Sequence, residues 1–185
     1  MNKINDERFE EILFTQEQIE TRIKELANWI NETYKDSKDL ILVGLLKGSI
    51  PFIAQLMKDI KINHSIDFII ASSYFGGVKS TGNAKIIMDL NTDIFGKDVL
   101  IIEDIIDSGI TLSKVKEVLV ARNPKSLRIM TLLDKPSRRI TKIFADVYGF
   151  EVPDKFLAGF GLDVKEKLRN LPYIGVFNKK YIDEL

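Results

Sequence analysis

The run Leu40-Ile41-Leu42-Val43-Gly44 has no polar side chain at any position. Side chains alternate between the two faces of a strand, so a strand apolar at every position must be covered on both. Val99–Ile102 is a comparable run and Leu127–Leu133 reads as another strand, with helical patterns between them. Thr15 and Gln18 have capping-box spacing, and Ile19, Ile23, Leu26, Ala27 and Ile30 then fall on one helix face. Ser49 reads as an N-cap with Pro51 in the first turn, followed by a buried stripe of Ile53, Leu56, Met57 and Ile60. Leu112, Val115, Val118 and Leu119 mark another helix. Strand-like runs at Ile66–Ser72 and Lys85–Leu90, and shorter ones at Ile143–Val147, Phe156–Gly159 and Tyr173–Val176, complete the pattern. Strands alternating with helices predict an α/β fold with a mainly parallel central sheet flanked by helices. The 185 residues suit a single domain, 1–185. In such sheets ligands sit at the carboxyl ends of the strands.

Composition narrows the chemistry. Lys plus Arg and Asp plus Glu each number 27, and zero net charge argues against holding nucleic acid by bulk charge. The chain has no cysteine, which removes disulfides, thiolate nucleophiles and zinc–thiolate sites, and His64 is its single histidine. A metal would therefore be held by oxygens, which points to Mg²⁺, Mn²⁺ or Ca²⁺. The N-terminus lacks the apolar core of a signal peptide, and the longest apolar stretch, Leu40 to Leu46, is too short to span a bilayer. The expectation is a cytoplasmic protein with no membrane or nucleic-acid partner.

One segment concentrates functional groups. The strand Val99–Ile102 runs into Glu103-Asp104, two apolar residues, and then Asp107-Ser108-Gly109-Ile110-Thr111 at a helix start. Alternation would send the two carboxylates to opposite sides. Together they could hold ribose hydroxyls or a hydrated Mg²⁺. The turn that follows offers successive backbone N–H groups, a glycine and two hydroxyls at a helix N-terminus, a cup for a phosphate monoester. Asp-Ser-Gly alone is also an ordinary turn. No GxxxxGK[ST], no strand-following GxGxxG and no GxSxG competes with it. Between the strands on either side of residues 74–83 lies a glycine-containing connection long enough to be a lid or a floppy hairpin tip.

This segment resembles the 5-phosphoribosyl-1-pyrophosphate (PRPP) signature of the type I phosphoribosyltransferases. Further matches narrow the resemblance to the hypoxanthine-guanine branch: Leu46-Lys47-Gly48 after the first sheet strand, Ser73-Tyr74 at a lid base, Leu132-Leu-Asp-Lys135-Pro-Ser-Arg-Arg139, and Val152-Pro-Asp-Lys-Phe156-Leu157 through Asp163. The resemblance spans nearly all of residues 10–178. It implies the type I fold with a small hood lobe over the base site, built from the N-terminal and C-terminal segments. It places ribose 5-phosphate on Glu103, Asp104 and residues 107–111. Pyrophosphate would meet Lys47, Gly48 and Arg169, with the peptide before Lys47 often cis. Lys135 would donate to the C6 oxygen of the purine, Phe156 would stack on the ring, and the Leu157 backbone would pair with its edge. Glu103, Asp104 and Asp163 would face Mg²⁺. From the residues alone, Lys47-Gly48 reads as a polar turn, Lys135 as a surface lysine, Phe156 as a core residue and Asp163 as a helix cap.

The implied reaction moves the 5-phosphoribosyl group of PRPP to N9 of hypoxanthine or guanine, giving IMP or GMP and pyrophosphate, with Asp107 as the general base at N7. The resemblance also implies a homodimer or homotetramer. A PRPP-sensing regulator without turnover, or a transferase acting on another base, are the competing readings.

Overall fold

A computed structural model describes residues 6–73 and 84–185. Nine strands and three α-helices follow in chain order among them: β1 (Phe9–Phe14), α1 (Gln16–Thr33), β2 (Leu40–Leu45), α2 (Ile50–Leu56), β3 (His64–Ser73), β4 (Ala84–Met88), β5 (Asp98–Ile106), α3 (Ile110–Val120), β6 (Ser126–Asp134), β7 (Val147–Glu151), β8 (Leu157–Ala158) and β9 (Ile174–Phe177). A six-stranded sheet has the order β4-β3-β2-β5-β6-β7. Every pairing in it is parallel except β3 with β4. The α/β fold with a mainly parallel central sheet is therefore as expected.

The two parities of the apolar strands account for the layers. Leu40 and Leu42 of β2, Leu100 and Ile102 of β5, and Met130 and Leu132 of β6 pack in one core with the apolar faces of α1 and α2. Ile41, Val43, Val99, Ile101 and Ile129 pack in a second core with Leu112, Val115 and Leu119 of α3. Helices thus cover both faces, as the unbroken apolar run of β2 requires. In α1 the capping box at Thr15 and Gln18 is formed, and the five expected apolar residues are its buried ones. A second, antiparallel sheet, β1-β9-β8, joins N-terminal and C-terminal segments and has a small core of Phe9, Ala158, Val164, Leu168 and Phe177.

Three local expectations need correction, and one strand was not expected. Ser49 precedes α2 but does not cap it: its backbone is already helical and its hydroxyl donates back to the Leu45 carbonyl. Met57 is exposed because α2 ends at Leu56. The strand expected at Ile143–Val147 begins only at Val147. Before it, side chains occupy the backbone: Arg139 binds the Ile143 carbonyl, and Asp146 accepts the Ile129 N–H at 2.8 Å. Strand β1 carried no sequence signal, since Phe9 is its one buried residue and two glutamates follow it. Among the described residues no helix is long and apolar enough to cross a membrane.

Replacing the cap, Thr15→Ala, frees the Gln18 N–H that the Thr15 hydroxyl accepts at 3.3 Å. The expected loss is about 1 kcal/mol, read as a lower urea midpoint at unchanged m-value.

Candidate active site

Strand β2 has β3 on one side and β5 on the other, so the chain leaves these central strands in opposite directions. Loops diverge at such a switch point and open a crevice at the carboxyl ends. A cavity of about 460 Å³ lies there, lined by Leu45, Leu46, Ala71, residues 103–109, Thr111, Leu112 and Asp163.

The loop between β5 and α3 forms one wall. Gly109 is the N-cap of α3 with φ 80°, and no side chain caps the helix there. A Cβ on Gly109 would stand 2.3 Å from Thr141 Oγ1 and 2.6 Å from Ile143 Cγ2, so both the left-handed backbone and the space demand glycine. The loop is held from behind by residues 139–143. Ile140 N–H and Thr141 Oγ1 donate to the Ser108 carbonyl at 3.1 and 3.3 Å. The Arg139 guanidinium is buried and donates to the carbonyls of Asp107 (3.0 Å), Ile106 (3.1 Å) and Ile143 and to the Asp134 carboxylate. With these carbonyls turned away and bonded, Ser108, Gly109 and Thr111 face the cavity. Ile110 does not line it, and its N–H donates to Ser108 Oγ at 3.4 Å.

Glu103 and Asp104 both line the same cavity, contrary to the expected divergence. The cavity opens over the strand end, where side chains from either face reach it. Burial, reinforced by the Asp104 carboxylate, holds the Glu103 carboxyl well above the usual carboxylate range. A Cβ on Gly48 would fall 1.5 Å from Asp104 Oδ2, so the β2 loop and the β5 carboxylate touch only because residue 48 is glycine.

The three residues expected to face a metal, Glu103, Asp104 and Asp163, all line the cavity. Among the described residues no three acidic or histidine side chains cluster closely enough to hold an ion. Asp163 lines the cavity but accepts from Arg169 Nη2 at 2.8 Å and from the Glu166 N–H at 2.8 Å. What remains is a pair of adjacent carboxylates with no basic partner among the described residues. That donor set fits Mg²⁺, which is commonly held by one or two carboxylates with waters and substrate phosphates completing its shell.

The Leu46–Lys47 peptide is cis. Lys47 and Arg169 lie outside the lining of the cavity but are brought together by Glu166, whose Oε2 accepts from Lys47 Nζ at 2.9 Å and Arg169 Nη2 at 3.3 Å. Arg169 Nη1 also donates to the Gly161 carbonyl at 2.7 Å, while its Nε is buried without a partner.

A third group assembles beside Asp107. Lys135 is buried; its Nζ donates to the Lys155 carbonyl at 3.0 Å and stands 3.6 Å from Asp107 Oδ2. Arg138 Nε is 3.5 Å from Asp107 Oδ1, an oxygen that accepts no hydrogen bond. Lys155 leads directly into Phe156 and Leu157. Phe156 is partly exposed and meets Phe177 edge-on, with ring centroids 6.0 Å apart. Strand β8 is an edge, and the Phe177 N–H donates to the Phe156 carbonyl at 2.8 Å. Antiparallel pairs alternate between bonded and non-bonded, so the next residue, Leu157, turns its N–H and C=O away from β9. Ser73 ends β3, and Tyr74 lies outside the described residues.

The sequence motif contains Arg138 and Arg139 without assigning either a task, and Glu166 carried no signal at all. An arginine two residues past a basic turn gives no sign that it binds backbone carbonyls. Glu166 lies in a charged stretch that reads as solvated surface.

The comparisons with known proteins agree with this geometry. The family model described as "Phosphoribosyl transferase domain" matches residues 11–165. The hypoxanthine phosphoribosyltransferase of Escherichia coli is 52% identical over 166 residues, covering 89% of this chain and 93% of that protein. The hypoxanthine-guanine phosphoribosyltransferase of Bacillus subtilis is 50% identical over 167 residues, covering 90% and 92%. A crystal structure of a Staphylococcus aureus hypoxanthine phosphoribosyltransferase superposes with a TM-score of 0.90 at 46% identity, covering 97% of both chains. The chain belongs to the phosphoribosyl transferase family, in its hypoxanthine-guanine phosphoribosyltransferase branch.

Proposed function

We propose that this chain is a purine salvage enzyme that transfers the 5-phosphoribosyl group of PRPP to N9 of hypoxanthine or guanine, releasing pyrophosphate. The observation that carries the site assignment is the meeting of Asp107 and Lys135, 3.6 Å apart, where the cavity wall joins the edge strand of the second sheet. A carboxylate oxygen without a hydrogen bond and a buried ammonium offer an acceptor and a donor side by side. A 6-oxopurine presents the complementary pair, N7–H and the C6 carbonyl. Adenine presents an amino group to the ammonium instead, so donor would face donor.

Asp107 takes the N7 proton as N9 bonds to the ribose. Phe156 covers one face of the base, and the free N–H and C=O of Leu157 read its edge. The phosphate of the ribose lies on the loop of residues 107–111, against the N-terminus of α3. Glu103 and Asp104 would hold the ribose hydroxyls and, with Asp163 on the same cavity, Mg²⁺. When bound, the ion neutralises charge gathering on the departing pyrophosphate. Lys47, the Gly48 backbone and Arg169 meet the same anion. The family resemblance gives Ser73 and Tyr74 to a lid, outside the described residues from Tyr74 on, whose task would be to exclude the water that could capture the ribosyl cation. The β1-β9-β8 sheet serves as the hood over the base. This reading goes with a homodimer or homotetramer in the cytoplasm, the form and place that the family resemblance implies.

One incubation of PRPP and Mg²⁺ with five bases, each alone, tests the activity. Nucleotide should form from hypoxanthine and guanine and not from adenine or uracil, with xanthine ranking the oxopurines; adenine turnover, or none with any base, refutes the reading. Asp107→Asn should lower kcat by about 10²–10⁴-fold with the KM for PRPP little changed. Near-normal turnover would remove Asp107 as the base. Lys135→Ala should raise the KM for hypoxanthine and guanine by about 10–100-fold, the loss of one charged hydrogen bond, and leave the KM for PRPP alone. Collapse of PRPP binding instead would mean that Lys135 serves another part of the site.

A further inference from the structure

Glu166 occupies a place that stability does not explain. It is the second residue of a tight turn, Lys165-Glu166, closed by reciprocal hydrogen bonds between Val164 and Lys167 at 3.1 and 3.0 Å. Lys165 and Glu166 have φ of 49° and 66°, so both central residues are left-handed. Turns of this kind favour Asn-Gly, because a side chain makes the left-handed backbone costly. Here the turn has a lysine and a glutamate. The Glu166 N–H is fixed on Asp163 Oδ2 at 2.8 Å, which sets the direction of the residue. Its Oε2 then lies between Lys47 Nζ at 2.9 Å and Arg169 Nη2 at 3.3 Å. The Lys47 and Glu166 side chains are both more than half exposed, and an exposed ion pair contributes little to folding. The strained turn therefore holds a carboxylate on Lys47 without a return in stability that would account for it, and the same oxygen reaches the part-buried Arg169.

We propose that the Glu166 carboxylate is a built-in competitor for the anion taken by Lys47 and Arg169, seated on the pair in the ligand-free protein and displaced by pyrophosphate or the diphosphate end of PRPP. The inference rests on the reading of Lys47 and Arg169 as the pyrophosphate pair. The hydrogen bonds from Lys47 and then Arg169 hold the Glu166 carboxyl below the usual range, so it remains an anion throughout the neutral region. Binding of pyrophosphate exchanges one anion for another on the same donors, and the returning carboxylate helps the product leave.

Titration of Mg²⁺-pyrophosphate into the purified protein by calorimetry tests this. Glu166→Gln and Glu166→Asp should each bind pyrophosphate about 2–5-fold more tightly than the parent, the scale of an exposed ion pair. The aspartate keeps the charge but is one methylene too short to span both cations. Tightening in the glutamine variant alone would mean that plain removal of charge is the cause, and tightening in neither would mean that Glu166 does not compete; both overturn the proposal. Arg169→Met and Lys47→Met report on the underlying reading. At least one should weaken pyrophosphate by about tenfold. If neither does, the pair does not take pyrophosphate, and that assignment fails whatever the Glu166 variants show.

Discussion

A single buried guanidinium fixes the geometry on which the rest of the site depends. Arg139 binds the carbonyls of Ile106 and Asp107 at the end of β5, the carboxylate of Asp134 at the end of β6, and the carbonyl of Ile143 beyond them. A buried charge is tolerated only when its donors are satisfied, and here four acceptors surround it. The same bonds satisfy the carbonyls of a loop that has left its strand. Pulling those carbonyls to one side turns the loop's other face to the cavity and delivers the Asp107 side chain next to Lys135. The base site and the phosphate loop are thereby parts of one rigid unit, with Lys135 N–H donating to the Ile106 carbonyl at 3.0 Å.

Around that unit the charges are unevenly distributed. Glu103 and Asp104 crowd together at the strand end without a basic partner among the described residues, while Lys47, Arg169 and Lys135 stand at its margins, each beside a carboxylate. The chain's zero net charge is an average over this uneven arrangement. Close approach makes the arrangement possible: Gly48 lets the β2 loop touch the Asp104 carboxylate, and Gly109 lets the α3 cap nest against Thr141 and Ile143. No thiol or imidazole takes part, in keeping with a chain that has no cysteine and a single histidine, which lies at the opposite end of β3 from its carboxyl terminus.

Legibility in the sequence followed burial and periodicity. The central strands and α1 were readable because each apolar residue of Leu40–Gly44 and each member of the Ile19–Ile30 stripe answers to one core. The phosphate loop was readable because its residue types have a local purpose at a helix start. Strand β1 was not, since its pairing with β9 is long-range and only Phe9 is buried. The segment before Val147 misled because Ile143 and Ala145 pack in a core without forming a ladder. Within the site, the individual residues of the Lys135 and Phe156 segments each had an ordinary alternative, and only their joint spacing gave them a reading. Long-range partnerships escaped entirely: the Lys47 and Glu166 contact joins residues far apart in the chain, and neither sequence neighbourhood announces it. The convergence of Glu103 and Asp104 on one cavity also escaped, because strand alternation no longer separates side chains at the end of a strand.

The central claim is that one rigid loop joins a phosphate cup to a base site for 6-oxopurines. A crystal structure of the protein with GMP tests it directly. The account predicts the phosphate within hydrogen-bond distance of the backbone N–H groups between Ser108 and Thr111, with the guanine O6 on Lys135 Nζ and N7 on Asp107. A phosphate seated instead between Lys47 and Arg169, or a guanine away from Lys135, would contradict it.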